Sequence, residues 1–222
     1  MMADAAYDEI ADWYEHEFLA VDGDPIGVDR SLRELLGDVG AGQPCLEVGC
    51  GTGVHAATVR DLGWHPLGID LSPGMLRYAG PRLPVVLANA EQLPIRDASL
   101  SAVITMMVHT DMPNYTAVLR EAARILRPGG VFVHVGVHPC FCGGFADRAD
   151  LQAIVIRPGY LDSYWTRESW TDQGVREKVG ATHRPLPELL HAFLDAGLVF
   201  ERFTEGGAPT PIVLGIRARK PS

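Results

Sequence analysis

The chain has 222 residues, of which 47% are hydrophobic and 21% charged, with a formal net charge of −9. That length buries a real core and fits one α/β domain spanning 1–222, with decorations, better than two domains. The acidic balance and the lack of any Lys/Arg run argue against a nucleic-acid partner, and no stretch approaches the roughly 20 apolar residues of a membrane span.

The N-terminus is acidic and does not read as a signal peptide. Cys45, Cys50, Cys140 and Cys142 are too few and too oddly spaced for a disulfide framework. A cytoplasmic, reduced protein is expected. The spacing of Tyr7, Ile10, Ala11, Tyr14 and Phe18 predicts an amphipathic helix over residues 4–20, with Asp8, Glu9, Asp12 and Glu15 on its other face. Such a stripe packs on a core or, with two tyrosines inward, lies across a ligand mouth as part of an N-terminal lid over about 4–36. The turn at 21–27 is rich in breakers, and a second helix over 28–36 buries Leu32, Leu35 and Leu36.

A first strand over 45–48 runs into Leu46-Glu47-Val48-Gly49-Cys50-Gly51-Thr52-Gly53. An apolar strand that ends in an acid and three alternate glycines must turn with little side-chain bulk, leaving backbone open to a ligand. A helix over 54–62 follows, with Val54, Ala57 and Leu62 inward. The second strand, 65–70, ends in Asp70. This acid falls 17 positions after Gly53, near the roughly 20-residue offset at which a carboxylate reaches a ribose hydroxyl. Ser72-Pro73 supplies an N-cap and first-turn proline for the next helix.

Strands are predicted over 83–88 and 100–108, the latter apolar nearly throughout, as expected of a strand covered on both faces. A helix over 114–126 stops at Arg127-Pro128-Gly129-Gly130, and a fifth strand occupies 131–137. This alternation builds a parallel sheet with helices on both faces. It lapses over 139–184, a segment carrying Phe141, Phe145, Tyr160, Tyr164, Trp165 and Trp170 beyond a strand's carboxyl end. A long aperiodic stretch of that composition reads as a substrate cover. The pattern resumes with a helix over 187–196, with Leu189, Leu190, Phe193 and Leu194 inward. Strands at 198–203 and 212–217 close the chain as a hairpin.

Taken together, Leu46 to Gly53, Gly68-Ile69-Asp70-Leu71-Ser72, Ala88-Asn89-Ala90-Glu91-Gln92-Leu93-Pro94 and Leu126-Arg127-Pro128-Gly129-Gly130 resemble the class I S-adenosylmethionine-dependent methyltransferases, in the small-molecule branch called type 11. The resemblance covers about residues 7–218. It implies a Rossmann-like, seven-stranded, mostly parallel sheet of order 3-2-1-4-5-7-6 with strand 7 antiparallel. It implies S-adenosyl-L-methionine as cofactor and a small-molecule acceptor, with no nucleic acid, no membrane, and a monomer or homodimer.

Residue by residue, the resemblance assigns Glu47, Gly49, Cys50, Gly51 and Gly53 to the cofactor's methionine part and Asp70 to its ribose. Leu71 and Met75 would flank the adenine. Asn89, followed by Ala90 and Glu91, stands where the family usually has Asp, so its amide oxygen would accept without a full charge. Met107, Val108 and His109 match the wall beside the sulfonium, and Tyr14 is expected to reach it from the lid.

Methyl transfer is an in-line displacement whose main demand is alignment, worth roughly 7–11 kcal/mol when geometry is near attack. A base is needed only if the acceptor loses a proton. His109, at the carboxyl end of the fourth strand, is the first candidate for base or substrate-orienting group, against a structural role such as bonding Asp111. His138, on the same rim, is second; His183 reads more as a helix cap. Tyr7, Phe141, Tyr160 and Tyr164, with both histidines, are the expected acceptor contacts. Tyr7 and Tyr14 pack as core equally well, and Trp13 lies off their stripe. His138, Cys140 and Cys142 offer only three ligands, so no metal is expected. A nicotinamide dehydrogenase wants G-x-G-x-x-G, and position 54 is valine. A protein that keeps the cofactor pocket without transferring methyl has the same motifs. The acidic chain and uncharged aromatic cover point to an apolar or aromatic acceptor, of the kind met in secondary metabolism.

Overall fold

The computed structural model describes residues 5–20, 23–38, 40–150, 152–168 and 174–222; Asp4, Val21, Asp22 and Trp170, which fall within the readings above, lie outside them. Five strands alternate with helices: β1 (Pro44–Val48), β2 (His65–Asp70), β3 (Val85–Leu87), β4 (Leu100–Met106) and β5 (Leu126–Val137). The chain's last two, β10 (Val199–Gly206) and β11 (Val213–Arg219), form the hairpin. They make one seven-stranded sheet ordered β3-β2-β1-β4-β5-β11-β10. The first five are mutually parallel, and β11 runs antiparallel to both β5 and β10. This is the expected 3-2-1-4-5-7-6 order.

Strand alternation divides the core into two layers. Val131, Val133 and Val135 of β5 join Ala102, Ile104 and Met106 of β4 beneath Leu32, Leu35 and Leu36 of α2 (Val28–Leu36). Phe132 faces the opposite way. With Leu46, Val48 and Val103 it meets α5 (Tyr115–Ile125) and α7 (Leu186–Asp195), where Phe193 stacks edge-on at 5.6 Å. Fully burying each such side chain is worth about 1.5–3 kcal/mol. Both faces of β4 are covered, so all seven of its residues are buried.

Several elements depart from the sequence reading. The helix after the glycine turn, α3 (Ala56–Asp61), starts two residues late and buries Ala56, Val59 and Leu62. Val54 and Ala57 face solvent, because the turn runs on past Gly53 and shifts the helical phase. The breaker at 127–130 lies within β5, as a register shift between the Leu100–Leu126 and Ala102–Val131 pairs. Gly129 N–H donates to Lys220 O at 2.9 Å and Lys220 N–H to Gly130 O at 3.0 Å, so a neighbouring segment completes the ladder. Leu194 of α7 is exposed.

The first helix is shorter than its stripe. It runs as α1 (Ala11–Trp13) and widens into a π turn over Tyr14–Phe18. Its acids do not simply face water. Asp8 accepts from Ser72 Oγ and from Gly74 N–H, thereby capping α4 (Pro73–Ala79) instead of its own helix. Asp12 pairs with Arg77 and Tyr78, and Glu15 with Arg82, which also donates to Thr52 O at 2.8 Å. The acidic stripe thus straps the segment to α4 and the glycine turn, leaving Tyr7 and Tyr14 to face inward, edge to face at 5.7 Å.

The cover over 139–184 has its own structure. Two small antiparallel pairs, β6 (Ala146–Asp147) with β7 (Val155–Ile156) and β8 (Tyr164–Thr166) with β9 (Ala181–His183), flank α6 (Val175–Val179). Lys178 of α6 lies over the Trp13 ring at 4.7 Å, joining cover to first helix.

Gly136 of β5 is held where packing leaves little freedom. A Cβ there would lie 2.8 Å from His134 Cε1 and closer still to His109 Nδ1. Gly136→Ala is expected to lower stability by about 1–3 kcal/mol, read as a lower urea midpoint at constant slope; an unchanged midpoint would show that His109 moves freely.

Candidate cofactor and acceptor site

β1 ends where Gly49 N–H and Cys50 N–H both donate to Ile69 O, at 2.7 and 3.0 Å. The three glycines have φ of +73°, +52° and +77°, the left-handed region that side chains avoid. Two of them are also closely packed. A Cβ at Gly49 would lie 2.9 Å from Met112 and Val108, and one at Gly53 2.6 Å from Leu83. Gly51 has nothing within 4 Å and presents bare backbone to open space.

Asp70 closes this turn. Its Oδ2 accepts from Gly51 N–H at 2.8 Å and its Oδ1 from Ser72 N–H at 2.9 Å. Burial raises its carboxyl above the ordinary value, against the pull of these backbone donors. Glu47 is 3% exposed, and its Oε2 has no hydrogen-bond partner among the described residues. Burial, and then the nearby Asp70 charge, push its carboxyl well above the usual range. An orphaned buried carboxylate oxygen is costly unless something outside the chain satisfies it.

These residues fit a ligand that carries an ammonium and a ribose. Along the same rim, Leu71 follows Asp70 and Met75 is buried on α4. Asn89, Ala90 and Glu91 follow β3; Asn89 is exposed and its Oδ1 accepts from Glu91 N–H at 2.9 Å. Met107, just past β4, has φ +59° and donates its N–H to Val135 O at 2.7 Å. A non-glycine residue held in that region is strain maintained by its surroundings.

Across the opening, Tyr7 and Tyr14 lie within electrostatic reach of Asp111 and Arg176, and Tyr14 also of Asp70 and Glu47. Arg176, buried, and Asp111, partly buried, form an ion pair between α6 and the loop after β4. Burial raises the Asp111 carboxyl in spite of that guanidinium. Sequence reasoning placed Asp111 only as a partner for His109; its partner is Arg176, 65 positions away. Arg184 was missed too. It spans the same loop, donating to His109 O at 2.9 Å, to Met112 O at 2.7 Å and to Pro113 O. No local pattern announces either arginine.

His109 is 3% exposed and its Nδ1 has no partner among the described residues. Its ring packs against His134 at 4.9 Å. Burial first, and then its neighbours, among them the Arg184 and Arg176 guanidiniums, hold its imidazole neutral, well below its ordinary pKa. His134 is pushed down to about 3 by burial. It joins Tyr115 at 2.8 Å, and Tyr115 joins Thr105 at 2.8 Å, as a polar seam under the rim.

His138 is differently employed. Its Nδ1 accepts from Cys140 N–H at 3.2 Å and its Nε2 meets Glu205 at 2.9 Å, so both nitrogens tie the start of the cover to β10. Phe141 stacks on it at 4.5 Å. Tyr160 bonds Cys140 Sγ and accepts from Leu186 N–H at 3.1 Å, while Phe145, Tyr160 and Tyr164 surround His183, which sits in β9 and does not cap the last helix. These rings bind the cover together. Among the described residues no group of three or more His, Cys, Asp or Glu is arranged to hold a metal, and no helix is long and apolar enough to cross a membrane.

Comparison with known proteins agrees with this geometry. The family model of the type 11 methyltransferase domain matches residues 46–134. The demethylmenaquinone methyltransferase of Bacillus licheniformis is 30% identical over 199 residues, covering 83% of each chain. That of Tropheryma whipplei (strain Twist) is 37% identical over 110 residues, 47% of this chain and 45% of its own, so the chain spans under half of that relative's length. In fold, the S-adenosylmethionine dependent methyltransferase of Mesorhizobium loti superposes with a TM-score of 0.71 at 24% identity, covering 86% of this chain and 96% of its own. The chain belongs to the class I S-adenosylmethionine-dependent methyltransferases, in their type 11 branch.

Proposed function

We propose that this protein transfers a methyl group from S-adenosylmethionine to a small, apolar or aromatic acceptor. One observation carries the reading: an unsatisfied buried acid, Glu47, and a pre-organised acid, Asp70, flank the open backbone of Gly51. When bound, S-adenosylmethionine supplies a methyl already activated on a sulfonium. Glu47 Oε2 receives the cofactor's amino group, and the lone pairs that Asp70 does not spend on Gly51 and Ser72 receive the ribose hydroxyls.

Leu71 and Met75 would flank the adenine, and Asn89, Ala90 and Glu91 would lie beside it. Met107 forms the wall beside the reacting end. Tyr7 and Tyr14 close over that end, where ring faces toward a cation are worth about 0.5–2 kcal/mol, and they keep water out. Gly53 and Cys50 shape the turn without touching the acceptor.

His109, neutral and buried at the carboxyl end of β4, orients the acceptor and takes its proton at a ring nitrogen where the acceptor has one to lose. His138, with both nitrogens engaged, supports the cover. Supporting the acceptor's character, the cover is rich in aromatic rings, Asp111 and Arg176 are paired with one another, and Arg184 is spent on loop carbonyls. A demethylmenaquinone, named for the relatives, is a quinone that would meet the same demand.

Two outcomes test the cofactor site. Asp70→Ala removes charge-assisted bonds worth about 1.5–3 kcal/mol and should weaken S-adenosylhomocysteine about 10- to 100-fold in calorimetry; unchanged affinity would mean that the ribose lies elsewhere. Glu47 gives a signature in pH. Its folded pKa is raised, so the free folded protein binds a proton more tightly than the unfolded chain. The stability it contributes is complete below the unfolded value of about 4.5 and is lost as pH rises through the raised folded value. Glu47→Gln should therefore raise the melting temperature of the ligand-free protein near pH 8, with the difference vanishing near pH 4, while binding S-adenosylhomocysteine more weakly. A variant that melts lower at pH 8 would assign Glu47 a structural role.

A further inference from the structure

We propose that Asp8, in the N-terminal segment, is a positioning residue for the cofactor: through Ser72 it fixes the carboxylate of Asp70, so that docking of the segment and binding of the cofactor are coupled. This rests on the reading of Asp70 as the ribose acid given above.

The contact begins at the first turn of α4. Ser72 is the N-cap, and its Oγ accepts from Met75 N–H at 3.1 Å. Pro73 has no N–H to satisfy. Gly74 N–H donates to Asp8 Oδ1 at 2.9 Å, and the same oxygen receives the Ser72 hydroxyl. Asp8 thus completes the cap of α4 from 66 and 64 positions away. The fit is close. A Cβ at Gly74 would lie 3.1 Å from Asp8 Oδ1 and 3.2 Å from Ala11 Cβ, so the segment rests directly on this turn.

Ser72 joins that seat to the cofactor side. It is 1% exposed, and its N–H donates to Asp70 Oδ1 at 2.9 Å. Asp70 Oδ2 in turn holds Gly51 N–H at 2.8 Å. A serine hydroxyl has one proton to give. Asp8 takes it, which leaves the Ser72 lone pairs to Met75 N–H and keeps that proton off Asp70. The Asp70 oxygens then keep their remaining lone pairs for a guest's hydroxyls. Without Asp8, the buried Ser72 hydroxyl has to find another acceptor. The first turn of α4 also loses two bonds that hold Ser72, and with it Asp70, in place.

Coupling of this kind is reciprocal. If docking of Asp8 tightens the cofactor, the cofactor tightens docking of residues 7–18 by the same factor.

The test measures binding of S-adenosylhomocysteine to the full chain by calorimetry, in a double-mutant cycle. Asp8→Ala should weaken it about fivefold or more. In the Asp70→Ala background the same change should matter by less than about twofold, because the residue it acts through is gone. Asp8→Asn keeps an oxygen that accepts both bonds and should stay within about twofold of the parent. Hydrogen exchange gives the reciprocal reading: saturating S-adenosylhomocysteine should slow exchange over residues 7–18 in the parent, and slow it less in Asp8→Ala. Equal affinity in Asp8→Ala and the parent would overturn the proposal while leaving the cofactor reading intact. So would an equal loss in both backgrounds, which is what a merely structural contact gives, or unchanged exchange in the saturated parent. Failure of the parent to bind S-adenosylhomocysteine would overturn the cofactor reading, and this proposal with it.

Discussion

Much of this molecule depends on one carboxylate. Asp70 stands at the end of β2 and reaches back to Gly51 N–H, so the turn after β1 and the first residues of α4 are referenced to the same two oxygens. Ser72, held by that carboxylate, in turn donates to Asp8, and Asp8 caps α4 from the N-terminal segment. Three parts of the chain that share no secondary-structure element are thereby aligned through a few charge-assisted bonds, the strong kind. The parallel sheet supplies the precondition: β1 and β2 pair from Pro44–His65 to Val48–Ile69, so their ends emerge side by side.

The same geometry concentrates negative charge. Glu47 is buried, Asp70 and Asp111 are partly buried, and burial raises all three carboxyls, with Arg176 paired to Asp111. Such a cavity costs the ligand-free protein stability and favours a cationic guest, the usual relation between a functional site and the stability of its scaffold. Around His109 the logic reverses. His109 and His134 are kept neutral by burial, and His109 also by the arginines around it, and the groups left over there are hydrogen-bonding and uncharged.

The fold was legible because its signals are local. Apolar runs, Ser72-Pro73 and the alternate glycines report backbone preferences that hold in any context, and β2 emerged with its expected bounds. Local rules failed where another segment intervened. The acids of the first helix read only as the face opposite its apolar stripe, yet Asp12 and Glu15 dock on Arg77, Tyr78 and Arg82, partners more than 60 residues away. The breaker at 127–130 became strand because Lys220 completes its hydrogen bonds. Phe141, Tyr160 and Tyr164, expected as acceptor contacts, pack on His138 and His183, a second role that the sequence did not announce, since aromatic side chains in a small insertion also serve as its core.

Glu47, the glycines and Asp70 were legible as a group because they lie within one strand–turn–helix–strand unit, set by spacing along the chain. The contacts around His109 were not. Arg176 and Arg184 find their partners across 65 or more positions, and the unmet nitrogen of His109 and hydroxyl of Thr110 emerge only once the groups around them have paired with one another. By itself the amino-acid sequence determined the order of strands and the family's methyl donor, because both follow from short-range pattern. Only the tertiary structure decided which polar groups are left without partners, because that is a property of the whole packed interior and of no single stretch.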